Sequence, residues 1–248
     1  FGLVASMRIV YLIMTALFLV AAVWRLRLKE TITNGEPIRF SYFISSYPKA
    51  IKESFSVWKV VPRSMFWLFV GQTLVMFGMS LTQVINALYA RDVLLIPKEQ
   101  WWLVYVPLML TMVLASIPIG KMVDKIGRKI PLVLGLFVGG AATLIFVTGN
   151  LLTVMISMSL FGIAQLLAMA AVTALSTDLV HPENRGKVNG FVNFMGYIMM
   201  AFGMLLGNYL YVNFIPQMPF YVTLGLIVPE FLIVLFLVHE PKKRVGSI

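Results

Sequence analysis

The sequence predicts an all-α membrane protein with seven transmembrane helices, and three observations predict it. Hydrophobic residues make up 60% of the 248-residue chain and charged residues only 12%, giving a mean hydropathy of +0.90. Seven apolar stretches reach the roughly 20 residues that a helix needs to cross the hydrocarbon core of a bilayer. None of them shows the alternating polarity, in segments of about 10 residues, that a transmembrane β-barrel requires.

In order, the stretches are 1–24, 65–90, 101–119, 130–149, 151–177, 188–213 and 219–238. The connection between the first two is the only long one. The chain therefore divides into a single transmembrane helix over 1–28, a connecting loop over 29–64 and a six-helix unit over 65–248. After Pro48, the residues Ile51, Phe55, Trp58 and Val61 recur at helical spacing while Lys49, Lys52, Glu53 and Lys59 take the other positions. That is the pattern of an amphipathic helix lying on a membrane surface, with a plain solvated linker as the alternative. Phe1 begins inside a full-length span and no small-residue cleavage site follows it, so this is no secretory leader; the expectation is a chain truncated at its N-terminus.

Lys and Arg fall in every second connection. Arg25, Arg27, Lys29, Arg39, Lys49, Lys52, Lys59 and Arg63 follow the first span, and Lys121, Lys125, Arg128 and Lys129 follow the third. Arg185 and Lys187 follow the fifth, and Lys242, Lys243 and Arg244 the last. The intervening connections carry only Arg91 and Lys98, balanced by Asp92 and Glu99, or no charge. Because cytoplasmic loops retain positive charge, the C-terminus is expected inside and Phe1 outside, in a protein integral to the cell membrane. The net charge of +10 is then a topology signal and not a nucleic-acid footprint.

No cysteine is present, which excludes disulfides and thiolate metal sites. His181 and His239 have no partner at ligand spacing, and no nucleophile–base set or glycine-rich phosphate cradle can be assembled. No enzyme, metal or cofactor is expected.

The most informative segment runs Gly120-Lys121-Met122-Val123-Asp124-Lys125-Ile126-Gly127-Arg128-Lys129 and reads as a compact basic loop. Gly120 lets the end of one helix approach its neighbours, Gly127 can take a positive backbone angle, and Asp124 is placed to accept backbone N–H groups or face a helix N-terminus. The order of Gly120, Asp124, Lys125, Gly127, Arg128 and Lys129 strongly resembles the loop motif of the major facilitator superfamily, G-x-x-x-D-[RK]-x-G-[RK]-[RK]. Asp178, Pro182, Arg185 and Gly186 resemble that family's loop between the fourth and fifth helices of a half. The basic exit after Trp24 is similar to its sixth helix running into the central loop.

The resemblance covers the whole chain as the sixth helix, central loop and C-terminal six-helix half of a twelve-helix fold, with five N-terminal helices missing. It implies a transporter that alternates between outward-open and inward-open states. It also implies a conformational latch made of Gly120, Asp124, Lys125, Gly127, Arg128, Lys129, Asp178 and Arg185. Asp124 would face a helix from the missing half, and Arg128 would pair with Asp178 or lie near Arg185.

Substrate contacts should come from polar positions sharing a helix face. Gln72, Met76, Met79, Gln83 and Asn86 form one stripe on the second span, at about 100° per residue. Phe161, Gln165, Met169 and Ser176 do much the same on the fifth. Asn189, Asn193, Tyr197, Met200, Met204, Asn208 and Tyr211 form a stripe on the sixth. In the resemblance the second and fifth spans line the central cavity; the alternative is that these side chains only bond neighbouring helices. Gly196, Gly203 and Gly207, on another side of the sixth span, mark close helix packing in preference to a flexible gate.

Glu230, preceded by Pro229 and with Thr223 on its face, is the one acid deep inside a span. Such a group is costly in a bilayer and is a functional candidate, either for proton coupling or for bonding a neighbouring helix. Arg8 can snorkel to the interface and has no assigned role. The 16 methionines and 13% aromatic content suit an adaptable, greasy pocket. The leading reading is secondary transport of a small molecule, with proton-coupled export of hydrophobic compounds as its sharpest form. Uptake of a small nutrient and a non-transporting scaffold or sensor are the alternatives. The partners are the substrate, protons, the bilayer and the missing N-terminal helices.

Overall fold

A computed structural model of the chain describes residues 3–27, 48, 52–53 and 55–240. The chain forms two units, Phe1–Tyr47 and Pro48–Ile248. The first contains α1, Leu3–Arg25, an uninterrupted helix of 23 residues and hence about 35 Å long, enough to cross a bilayer.

The second unit is a helical bundle. Its helices are α2 (Arg63–Gln83), α3 (Ile85–Asp92), α4 (Trp101–Ile126), α5 (Lys129–Val147), α6 (Leu151–Leu179), α7 (Pro182–Asn213) and α8 (Met218–Leu232), the last continuing into a π-helical turn at Ile233–Leu237. Over the described residues the chain has seven helices long and apolar enough to cross a membrane, in agreement with the class read from the sequence.

Three elements differ from the sequence expectation. The second span is not one helix: it breaks at Val84, between α2 and α3. Ser80 and Thr82 donate their hydroxyls to the carbonyls of Phe77 and Met79 at 2.7 and 3.2 Å, and such back-bonding competes with the helical ladder and bends it. The third span does not stop at 119; α4 runs on to Ile126, so its 26 residues make a rod of about 39 Å, longer than the hydrocarbon core of about 30 Å.

The third difference is the segment after Pro48. Its described part does not lie free on a membrane surface but packs on the bundle. Val57 is buried, Val57–Lys59 form one 3₁₀ turn, and the rings of Phe55 and Trp58 lie 4.9 and 5.3 Å from Phe191 of α7. Trp58 also lies 5.0 Å from Phe69 of α2, and Glu53 pairs with Lys187 at 2.9 Å. Part of the apolar face that the sequence assigns to lipid, Trp58 above all, is turned toward α2 and α7, while Phe55 stays 54% exposed. Lys49 and Ile51 lie outside the described residues.

Helix packing rests on small residues. A Cβ on Gly207 would collide with the backbone of Leu81, and one on Gly203 with the side chain of Ser80 and the carbonyl of Phe77, so α7 lies directly against α2. The close-packing expectation for these two glycines is met. Beside a smaller cluster of Ile119, Val123 and Leu167 between α4 and α6, two larger apolar cores lie around these contacts. One, at the end carrying the basic connections, joins Met65, Leu68, Leu132, Leu175, Val188 and Val234. The other, at the opposite end, joins Ile85, Tyr89, Val104, Phe146, Met158 and Phe220. There the Tyr89 hydroxyl donates to the Val147 carbonyl at 2.9 Å and its ring lies 4.8 Å from that of Phe220.

Gly207→Ala should force α7 away from α2 and destabilise the protein by about 1–3 kcal/mol. Gly190→Ala, where an added Cβ meets open space, should be neutral or slightly stabilising. Thermal unfolding of the two variants in detergent checks the contrast.

Candidate functional site

Two groups of side chains stand out, one at the basic end of the bundle and one at its mid-depth. At the basic end most of the motif is helix and not loop. Gly120 to Ile126 form the last two turns of α4, and the turn itself is Gly127 and Arg128. The helix stops because Gly127 takes φ +97°, a conformation that costs other residues a Cβ clash.

Arg128 is buried, and its Nε lies 3.3 Å from Oδ2 of Asp178 at the end of α6; the alignment is that of an ion pair and not of a hydrogen bond. Arg185 caps the same end of α6, donating from Nη2 to the Thr177 carbonyl at 2.8 Å and from Nε to the Val180 carbonyl at 3.1 Å. Lys129 reaches from α5 to the end of the last span, where its Nζ donates to the Leu235 carbonyl. Each cation thus satisfies carbonyls or a carboxylate at a helix C-terminus, where the helix dipole favours positive charge.

Glu240, just past the end of the last span, completes this arrangement. Its Oε1 accepts the backbone N–H groups of Arg128 and Lys129, both at 2.7 Å, so a carboxylate sits on the N-terminus of α5. It also lies against Gly127, where a Cβ would come within 3.1 Å of Oε1. The signal was legible: Glu240 is an acid directly after the last span, followed by Lys242, Lys243 and Arg244.

Two expectations for the motif are corrected. Glu240, not Asp124, accepts the backbone N–H groups; Asp124 is exposed on the outer face of α4 and has no hydrogen bond or ion pair among the described residues. Gly120 makes no close approach either, since a Cβ there would meet nothing within 4 Å. Lys125 is exposed beside Asp124. The physical reason is the helix itself: its continuation to Ile126 turns Gly120, Asp124 and Lys125 onto a face that the rest of this unit does not cover.

At mid-depth, between the two apolar cores, α2, α5, α6 and α8 enclose a cavity of about 330 Å³. Gln72, Met76, Met79, Gln165, Met169 and Glu230 all line it. Gln83, Asn86, Asn193 and Tyr197 do not; Gln83 and Asn193 are exposed, Asn86 is half-buried, and Tyr197 is 69% exposed. Asn86 lies past the break at Val84, on α3. Met169 and Thr173 also line a groove between α4 and α6 that continues through Thr177 to Asp178. The cavity is thereby linked to the Arg128–Asp178 pair. At the opposite end of the bundle Arg91 donates from Nε to Asp92 Oδ1 at 2.6 Å and holds that carboxyl below its ordinary range. Among the described residues no cluster of side chains could hold a metal ion.

A sequence model of the Major Facilitator Superfamily matches residues 68–247. The chain belongs to this family. Members of the Major Facilitator Superfamily are membrane transporters and not enzymes. The chain is 24% identical over 186 residues to the quinolone resistance protein NorA of Staphylococcus aureus strain Mu50, a match that covers 75% of this chain and 47% of NorA. The NorA sequences of strains N315 and MW2 match to the same extent. The chain therefore spans about half the length of the curated relatives it matches. Among solved structures it is similar to a bacterial homolog of the human lysosomal transporter Spinster, in an inward-facing and unoccupied conformation. That likeness has a TM-score of 0.56 and 16% identity, and covers 72% of this chain and 43% of the other; at that identity it speaks for the fold alone.

Glu240→Ala should unseat the Gly127–Lys129 turn and lower stability by about 1–3 kcal/mol, the usual range for hydrogen bonds to a charged acceptor. Glu240→Gln, which keeps an acceptor oxygen but loses the charge, should recover part of that. Thermal unfolding in detergent distinguishes the two.

Proposed function

We propose that the protein moves a small hydrophobic molecule across the cell membrane by alternating access, in the direction of export, with Gln72, Met76, Met79, Gln165 and Met169 lining the site that receives it. The observation that carries this reading is the mid-depth cavity, greasy over most of its wall and furnished with two amides and one carboxyl. Pockets of this kind take small ligands by apolar contact and orient them with a few polar groups, and methionine walls adapt to varied shapes. Export is favoured over uptake of a polar nutrient because the lining is mostly apolar, and the similarity to a quinolone resistance protein points the same way. Gln83, Asn86, Asn193 and Tyr197 belong to the route leading to the site and not to its wall.

The basic end is read as cytoplasmic, which puts the C-terminus inside by the distribution of Lys and Arg. Gly120, Asp124, Lys125, Gly127, Arg128, Lys129, Asp178 and Arg185 act there as the latch. Arg128, Lys129, Asp178 and Arg185, with Glu240, lock the ends of α5, α6 and α8 into one rigid plate. The uncovered face with Gly120, Asp124 and Lys125 closes against helices outside this unit. Proton coupling falls to Glu230, the buried acid of the cavity; a purely structural role is the competing reading.

Two substitutions test this in the full-length protein reconstituted in proteoliposomes. Asp124→Asn should reduce transport at least tenfold, the effect of about 1.4 kcal/mol on a barrier, at unchanged expression; undiminished flux would reject the latch. Glu230→Gln should abolish accumulation driven by a pH gradient while leaving solute exchange without a gradient. Retained proton-driven accumulation would leave Glu230 a structural residue, and absence of flux of any solute in the unaltered protein would favour a scaffold or sensor.

A further inference from the structure

The cavity between α2, α5, α6 and α8 is stoppered at both ends by apolar packing. Leu68, Leu132 and Val234 close it toward the basic end, and Phe146, Met158 and Phe220 lie beyond it on the other side. Of its three threonine hydroxyls, those of Thr143 and Thr223 are engaged by the backbone. Thr223 Oγ1 lies 2.9 Å from the carbonyls of Gly78 and Pro219, and Thr143 Oγ1 donates to the Gly139 carbonyl at 2.9 Å. Four polar side chains of its lining are left without a hydrogen bond or ion pair among the described residues: Gln72, Gln165, Thr173 and Glu230. Glu230 is only 4% exposed whereas Gln165 is exposed, so the carboxyl lies at the deep end of the cavity and the amide at its mouth. No Lys, Arg or His lines it.

The backbone around Glu230 is irregular on both sides. Pro229, immediately before it, lacks the N–H that would bond the Gly225 carbonyl. The π-helical turn Ile233–Leu237 begins less than one turn after it, and such turns concentrate at functional positions. A carboxyl held unpaired in apolar surroundings is expensive unless a cation or a proton meets it.

We propose that this cavity is a binding site for a small lipophilic monocation, an ammonium group with an apolar body. The ammonium pairs with Glu230, the body lies against Met76, Phe161 and Leu226, and Gln165 stands at the mouth. The inference rests on the reading of this cavity as the substrate site and narrows its cargo by charge. A carboxylate-bearing compound finds no counter-charge here and meets Glu230 as a like charge. A proton and the cation compete for one carboxyl. Gln72 of α2, Thr143 of α5, Gln165 and Thr173 of α6 and Thr223 of α8 are the other polar groups facing the cavity and none of them titrates, so the pH dependence belongs to Glu230.

The test uses the full-length protein in detergent and three probes of one shape: phenylbutylammonium, phenylbutanol and phenylbutanoate. The cation should bind at least about tenfold more tightly than the alcohol or the carboxylate, a difference of about 1.4 kcal/mol. Acidification should weaken cation binding in the wild type, and Glu230→Gln should remove both the preference and its pH dependence. An unchanged preference in folded Glu230→Gln, or tighter binding of the carboxylate, would overturn the proposal. Because that variant can misfold, the wild type supplies a second readout, modification of Glu230 by a hydrophobic carbodiimide, located by peptide mass spectrometry. Saturating cation should protect Glu230 and the alcohol should not; equal labelling under both would overturn the site. Protection without flux of any solute would overturn the transport reading alone, and flux without protection would overturn the cation site alone.

Discussion

Inside a bilayer, helices gain little by turning apolar faces toward one another, because lipid tails are as apolar as leucine; association depends instead on how closely backbones can approach. Everything in the second unit follows from that constraint. α7 can lie against α2 only because positions 203 and 207 have no Cβ to meet Ser80 and Leu81. The same device recurs at Gly162 against the Leu108 carbonyl and Gly135 against the Ala164 carbonyl, both at 3.2 Å from an added Cβ. These contacts fix α4 and α5 on α6. With the spacings set this way, larger side chains fill the two ends of the bundle as apolar cores and leave an open volume between them.

The basic end answers a second constraint, the unpaired carbonyls and N–H groups of helix termini. Arg185 closes α6, Lys129 reaches the end of the last span, and Glu240 takes the N–H groups that open α5. The family motif is therefore two devices in one string of residues. Gly127, Arg128 and Lys129 work within this unit as a helix-end clamp. Gly120, Asp124 and Lys125 sit on a face of α4 that the rest of the unit leaves uncovered. A single residue type count would not separate them; the extension of α4 to Ile126 does.

The mid-depth cavity and the clamp are joined by a physical route. Met169 and Thr173 belong both to the cavity wall and to the groove that ends at Asp178. Glu230 and the Arg128–Asp178 pair thus both lie along α6, one beside the cavity and the other at the end of the groove.

By itself the sequence determined the class, the number of spans and the family, because hydropathy and the order of Gly, Asp and basic residues are local properties that survive without coordinates. It also marked Gln72, Met76, Met79, Gln165, Met169 and Glu230 as candidates, since helical spacing alone sorts side chains onto faces. Tertiary structure decided the rest. Gln83 ends α2 and Asn86 lies past the break at Val84 on α3, and neither reaches the cavity, a boundary no periodicity announces. Val57 and Trp58 pack on protein, a choice between two apolar environments that an amphipathic pattern cannot make. Glu240 lies more than a hundred positions along the chain from the turn it holds, and a contact of that span exists only once the helices between have packed and set its distance.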